Sequence, residues 1–334
     1  MKKEDLSVLC AGLCCIDIIN SKEENKTMLG GTAANIASAL AALGIQVDFL
    51  TARYSGDSGK WLECAMRRRG IHPLYFADTK ISAPKINETL EHIGGEHLFQ
   101  TKCPVCNESI CKLVLPSRSQ IDQKTDAAEK CYNLVAYDRI SDGIKKVAKE
   151  NKRGWRFYEP NSARIYSNFI ECARTADMLK ISKERFPDSY ANRLLADLRN
   201  TGIQLIIVSL GEKGLKISVR NRKDELSDWI YIDGMPVQKL IDSSGAGDWM
   251  TAIFLFFFLQ QYPWRDNTID SSVIMEFLLR AQEVARESCG YIGAQGMLCT
   301  VQGVEYLKKK FNHPFEVCHD EKYMGVVCDY CANA

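Results

Sequence analysis

Short apolar runs alternate with segments of helical period along most of the chain. Residues 6–11, 47–51, 133–136, 155–158, 178–181 and 205–210 are brief runs rich in Val, Ile, Leu and aromatic side chains, and they predict strands. Between them, residues 35–43, 144–152, 192–200, 249–260 and 273–289 carry apolar positions at helical spacing. The first of these is rich in Ala and closed by Gly44, a helix-stop signal. Strands that are apolar on both faces and alternate with helices predict an α/β fold, a doubly wound and mostly parallel sheet. Two stretches break the rhythm. Residues 13–29 and about 75–118 are polar and short-stranded, and predict a small accessory β-sheet that forms a lid. Residues 1–310 are expected to form one domain carrying those lid segments. Residues 311–334, with Cys318, His319, Cys328 and Cys331, read as an appended Cys-rich tail.

Composition narrows the class. Hydrophobic content of 46% and charged content of 25% are ordinary for a globular protein, so 334 residues supply ample core. Lys plus Arg total 43 against 42 Asp plus Glu, a net charge of +1, so neither a nucleic-acid nor a membrane-surface partner is expected. The basic triplets Arg67-Arg68-Arg69 and Lys308-Lys309-Lys310 are expected to be solvated helix ends. Asp17 interrupts the N-terminal apolar stretch early, which suits a first buried strand better than a signal peptide. The longest apolar run, residues 252–259, is too short to span a bilayer. Fourteen Cys without a secretory signal point to a reducing, cytoplasmic setting, with thiols such as Cys10 and Cys14 buried as small hydrophobes.

The most informative stretch is Asp242-Ser243-Ser244-Gly245-Ala246-Gly247-Asp248, directly before an apolar helix. Gly245, Ala246 and Gly247 are small enough for backbone to approach a ligand closely. The free N–H groups and positive dipole end of the following helix suit the negative charge of a phosphoryl group in transit. Asp248, in the first turn, is placed to accept a proton from an attacking hydroxyl. The plainer alternative is a tight turn capped by Asp. No P-loop pattern occurs. Near the N-terminus, Gly30-Gly31-Thr32-Ala33-Ala34-Asn35 places paired glycines before a helix, with Asn35 able to donate and accept toward a polyol or, in the plainer alternative, to cap the helix.

Residues 242–248 resemble the C-terminal signature of the PfkB family of carbohydrate kinases, D-T-x-G-A-G-D, and residues 30–37 resemble its N-terminal signature, G-G-x-x-x-N-x-A. The resemblance covers about residues 5–305 and implies a ribokinase-like fold and transfer of the γ-phosphate of ATP to a hydroxyl of a sugar or sugar derivative. It implies an anion hole at Gly245, Ala246 and Gly247, and a catalytic base at Asp248. It assigns Asp17, at the end of the first strand, with Gly30, Gly31 and Asn35 to a small-molecule polyol substrate. Residues 209–214 are similar to the family's T-x-G-x-x-G segment, which places Ser209, Gly211 and Gly214, with Asp242 and Lys180, on the nucleotide side. Residues 159–164 are similar to its D-x-N-x-R segment, with Glu159 in place of Asp, and assign Asn161 and Arg164 to the substrate. Mg²⁺ is expected with ATP. The resemblance also implies K⁺ held by carbonyls of residues 242–244 and 289–294. The chain departs from the family's N-x-x-E segment, reading Ser182-Lys183-Glu184-Arg185, where Glu184 substitutes if the register slips by one. A nucleoside acceptor, or a catalytically weak ligand-binding protein on the same fold, are the alternatives.

Two C-x-x-C pairs stand outside that pattern: Cys103 with Cys106, and Cys328 with Cys331. Together they suit a structural Zn²⁺ that ties the tail to the accessory layer, with Cys111, Cys318 and His319 as competing ligands. Reduced, uncoordinated thiols or a redox pair are the alternatives. The edge of the accessory layer suits pairing with a second copy in a homodimer.

Overall fold

A computed structural model describes residues 6–21, 25–90, 97–124, 130–161, 165–265, 268–320, 322–325, 328 and 331. In chain order the elements are β1 (Ser7–Ala11), β2 (Cys15–Asn20), β3 (Asn25–Gly30), α1 (Thr32–Ala42), β4 (Gln46–Ser55), α2 (Gly56–Arg68), β5 (Ile71–Ser82), β6 (Lys85–Leu90), β7 (His97–Gln100), α3 (Arg118–Lys124), β8 (Leu134–Tyr137), α4 (Asp142–Glu150), β9 (Trp155–Tyr158), α5 (Tyr166–Ala173), β10 (Met178–Ser182), α6 (Asp188–Leu198), β11 (Leu205–Ser209), β12 (Leu215–Val219), β13 (Ile230–Ile232), α7 (Ala246–Gln261), α8 (Ser271–Ser288) and α9 (Val301–Phe311). No helix among the described residues is long and apolar enough to cross a membrane.

Nine strands form the main sheet in the order β13-β12-β11-β10-β9-β8-β1-β4-β5. The seven from β11 to β5 are parallel, and β12 and β13 add an antiparallel edge. Strands β1, β8, β9, β10 and β11 are buried on both faces by helices, which explains their unbroken apolar runs. Helix α7 is hydrophobic all round. It packs against α1 and α8, and its Phe254, Phe256 and Phe258 are fully buried. A separate four-stranded sheet, β3-β2-β6-β7, is the small accessory layer.

Three local expectations change. Asp17 lies not at the end of the first strand but in β2 of the small sheet. Gly12 causes this: at φ 136° it turns the chain out of β1, and a Cβ there would sit 1.7 Å from Asp138 Oδ1. Residues 75–82, expected in the lid, continue β5 along the edge of the main sheet, pairing with β4 through two register shifts. Of the two basic triplets, Lys308, Lys309 and Lys310 are an exposed final helical turn, but Arg69 is buried, and its guanidinium pairs with Asp320 at 2.5 Å.

Candidate active site

The C-terminal ends of the central strands converge on one edge of the main sheet. Asp138 follows β8, Glu159 follows β9, Lys180 lies in β10 and Ser209 closes β11. This is where open parallel sheets bind ligands, because the chain diverges to opposite faces there. Asp138 is buried and accepts the Leu13 amide at 2.9 Å, fixing the crossing into the small sheet.

Helix α7 starts at that edge, against Lys180 and Asn35. Its N-cap, Gly245, is left-handed at φ 74°, and a Cβ there would lie 2.4 Å from Ala294 Cβ, so only glycine fits. The Ala246 amide reaches Ser243 O at 3.3 Å. At a helix start the next amides, those of Gly247 and Asp248, have no intrahelical acceptor. Asp242 does not reach outward: its buried carboxylate accepts Ser244 N and Gly293 N, both at 2.6 Å, and clamps the turn. Lys180, 2% exposed, sits beneath the turn, donating to Gly247 O at 3.0 Å and pairing with Glu159. Thr251 Oγ1 lies 2.7 Å from the other Glu159 oxygen.

Asp248 Oδ2 accepts the Asn35 side-chain amide at 2.7 Å. Burial first, and then the Glu159 charge, push the Asp248 carboxyl up to about 7; Asn35, Lys180 and Arg185 oppose this by favouring the charged form. Asn35 is in the second turn of α1 and not at its cap, since the helix begins at Thr32 behind Gly31 (φ 97°) and the Asn35 N–H bonds Gly31 O at 2.8 Å. Its side chain is therefore free to face Asp248.

Asp17 approaches from the small sheet. It is buried, accepts the Cys15 thiol at 3.1 Å and lies over Gly30, where a Cβ would be 1.6 Å from Asp17 Oδ2. Burial and the neighbouring Glu88 push its carboxyl well above the usual range, and Asp248 adds to the effect. Glu88 reaches Asp17 through a side-chain hydrogen bond.

Beyond β11, Gly211 (φ 64°) and Gly214 (φ 93°) frame a short 3₁₀ turn after Ser209. The Ser209 carbonyl accepts Lys183 N at 2.9 Å, and a Cβ on Gly211 would lie 2.8 Å from Glu184 Oε1. Asn161 Oδ1 accepts Thr32 Oγ1 at 2.9 Å and pairs with Arg185, while its amide donates to Asp138 at 3.1 Å. Arg164, expected beside Asn161, falls outside the described residues.

No family model matches the chain, and no curated protein matches it by sequence. Solved structures do. A fructokinase with bound ATP from Xylella fastidiosa superposes with a TM-score of 0.69 at 20% identity, covering 93% of this chain and 100% of that one. A ribokinase from Giardia lamblia gives 0.70 at 15% identity, with 91% and 99% covered. A fructokinase double mutant from Vibrio cholerae O395, bound to fructose, ADP and potassium ion, gives 0.65 at 17% identity, with 88% and 95% covered. The chain has the ribokinase-like fold.

Within that fold several site residues carry no motif. Glu88 is an unremarked polar position in a short strand, and only the β2–β6 pairing brings it to Asp17. Gln295 lies beyond the signature helix. Its amide donates to Asn35 Oδ1 and Ser38 Oγ, each at 3.0 Å, and its carbonyl oxygen accepts from Arg69. Arg69 is held in turn by Asp320 of the tail, which also accepts Leu29 N at 3.1 Å. A chain of polar contacts thus runs Asp320–Arg69–Gln295–Asn35–Asp248. Arg185 belongs to the segment that departs from the family pattern and brings a cation to the site. The four motif cysteines gather apart from these groups, between the loop after β7 and the tail.

Proposed function

We propose that the chain is a kinase that transfers the γ-phosphate of ATP to a hydroxyl of a sugar or sugar derivative. The observation that carries this reading is the pairing of Asp248 with the amide end of α7. A carboxyl perturbed to about 7 lies in the first turn of the helix whose glycine-opened start lies at the same site. The two features supply what phosphoryl transfer asks of a protein: a proton acceptor, and fixed dipoles where charge develops.

Asp17 and Asn35 orient the acceptor, as hydrogen-bonding groups already held by Gly30, Glu88 and Gln295. Asp248 takes the proton from the attacking hydroxyl, and the charged form it needs is favoured by the Asn35 amide and by Lys180. The amides of Gly247 and Asp248 stabilise the phosphoryl oxygens, while Lys180 holds Gly247 in place from below. Arg185, steadied by Asn161, supplies positive charge at the rim. Ser209, Gly211 and Gly214 form the turn against which the nucleotide packs. Mg²⁺, bound with ATP, neutralises phosphate charge, and Glu184, lying against Gly211, is the carboxylate of the altered segment on that rim. For K⁺, the Cys289 carbonyl already accepts Ile241 N and Asp242 N, and the Ala294 carbonyl accepts Trp249 Nε1, so we assign no step to that ion.

The test is ADP formation from ATP over a panel of ketoses, aldoses, sugar acids and ribosides, in wild type and Asp248→Asn. One acceptor should give sustained turnover, and the variant should lose about 10²–10⁴-fold in kcat. Normal turnover by Asp248→Asn would remove the base, and absence of ADP with every hydroxyl acceptor would remove the reaction.

A further inference from the structure

The cysteine cluster owes nothing to the phosphotransfer site. Cys103 and Cys106 lie in the loop after β7, and Cys328 and Cys331 lie in the tail, more than two hundred residues away in sequence. Their four sulfurs all fall within 4.8 Å of one another, with Cys103 to Cys331 at 3.7 Å and Cys106 to Cys328 at 3.5 Å. A disulfide needs about 2.05 Å. A tetrahedral Zn²⁺ with Zn–S bonds of about 2.3 Å needs sulfurs about 3.8 Å apart. The observed separations fit the second arrangement, and all four thiols are free.

The backbone around the first pair is built for such an ion. Cys103 and Glu108 are joined by Cys103 N to Glu108 O at 2.8 Å, and Asn107 N returns to Cys103 O at 2.9 Å. Asn107 is left-handed at φ 61°, so the chain doubles back immediately after Cys106. The Val105 amide donates to Cys103 Sγ at 3.4 Å, a donor aimed at a sulfur as suits a thiolate. The loop is anchored to the small sheet by Lys85 N to Ile110 O at 2.9 Å, and Cys103, Ile110 and Cys328 are buried together.

We propose that Cys103, Cys106, Cys328 and Cys331 bind one structural Zn²⁺ that fastens the C-terminal tail to the small sheet. Four thiols release four protons to solvent and form a tetrathiolate, with no change of oxidation state. The clasp closes the stretch that carries Asp320, whose partner Arg69 braces Gln295 and Asn35. The ion is not part of the transfer chemistry, and the test does not use turnover.

The test is elemental analysis of protein purified in reducing buffer without chelator, together with cobalt substitution of the wild type. About one zinc per chain is expected. The Cys106→Ser/Cys328→Ser double variant should lose it, while Cys64→Ser/Cys131→Ser, at exposed thiols, should keep it. Cobalt should give thiolate charge-transfer bands in the near ultraviolet and tetrahedral bands in the red. Substoichiometric zinc both as isolated and after incubation with excess Zn²⁺ overturns the proposal. So does a cobalt spectrum without those bands, or mass spectrometry showing these cysteines joined as disulfides. Because wild-type cobalt spectra need no variant to fold, the outcome stands even if the double variant does not.

Discussion

The Asp248 carboxyl sets a pH dependence that an ordinary surface aspartate would not. With a pKa of about 7 in place of the usual 3.8, Asp248, the proposed base, is ionised in about a tenth of the molecules at pH 6 and in about nine-tenths at pH 8. The ratio kcat/KM for the acceptor should therefore rise roughly tenfold over that interval and level off above it. The sign can be tested through Glu159, whose charge is the largest contributor after burial. Glu159→Gln keeps the shape and the hydrogen-bonding capacity toward Lys180 and Thr251 but removes the like charge. It leaves Lys180 as an uncompensated cation beneath Gly247. Both changes favour ionised Asp248, so the limb should move to lower pH by about one unit, within the range a neighbouring charge ordinarily produces. Lys180→Met should move it the other way. The assay is initial-rate ADP release at saturating ATP and constant ionic strength across pH 5.5 to 9, with folding of each variant checked by circular dichroism. A flat wild-type profile between pH 6 and 8, or a limb that moves upward in Glu159→Gln, would refute the argument.

The same carboxyl bears on stability. A raised acid pKa means the fold prefers the neutral form, so its contribution is complete below the unfolded value near 3.8 and is lost as pH rises through about 7. Asp248→Asn should therefore gain thermal stability over wild type as pH rises from 4 to 8, by several degrees in Tm; a constant difference argues against burial of the charge. Gly30→Ala puts a methyl 1.6 Å from Asp17 Oδ2 and should raise the acceptor KM by about tenfold or more while leaving the ATP KM near its wild-type value; an unchanged acceptor KM removes Asp17 from the substrate. Asp320→Ala strands the Arg69 guanidinium, whose side chain is 1% exposed, and should cost about 3–5 kcal/mol in chemical denaturation; a loss under about 1 kcal/mol means the pair is not formed.

The main sheet was legible in the sequence because strands buried on both faces leave unbroken apolar runs. Residues 155–158 match β9 at both ends, and β10 and β11 match within a residue. Helix α2 and strand β5 were missed, since their partly exposed faces interrupt the runs with polar residues such as Asp57, Lys60 and Asp78. In the candidate site, local motifs exposed what lies on one turn: Gly245 with Asp248, and Gly30 with Asn35. They did not expose Glu88, Arg185, Gln295 or Arg69, whose positions depend on strand pairing and on contacts between segments 24 to 260 residues apart. Asp242 illustrates the same limit. An acid before a glycine turn suits both a ligand and an N–H clamp, and only the contacts with Ser244 and Gly293 distinguish them.

The distribution of charge within the site carries the acceptor argument one step further. Asp17 and Glu88 lie together on the small-sheet side, and Asp248 adds to the field Asp17 feels. On the α7 side are amides, Lys180 and Arg185. A neutral polyol presented to Asp17 supplies hydroxyl donors that those carboxyl oxygens can use, relieving the like-charge cost without adding charge. A carboxylate or phosphate placed there would bring a further negative charge against two acid groups and would raise that cost. Negative charge is tolerated only where α7 begins. Under the proposed phosphotransfer, this charge distribution favours an acceptor whose far end is uncharged, with the phosphoryl group at the start of α7. Neutral ketoses and aldoses should accordingly outrank sugar acids and sugar phosphates in the acceptor panel. A sugar acid as the preferred substrate would show that the cations at the rim, rather than the acids of the small sheet, set specificity.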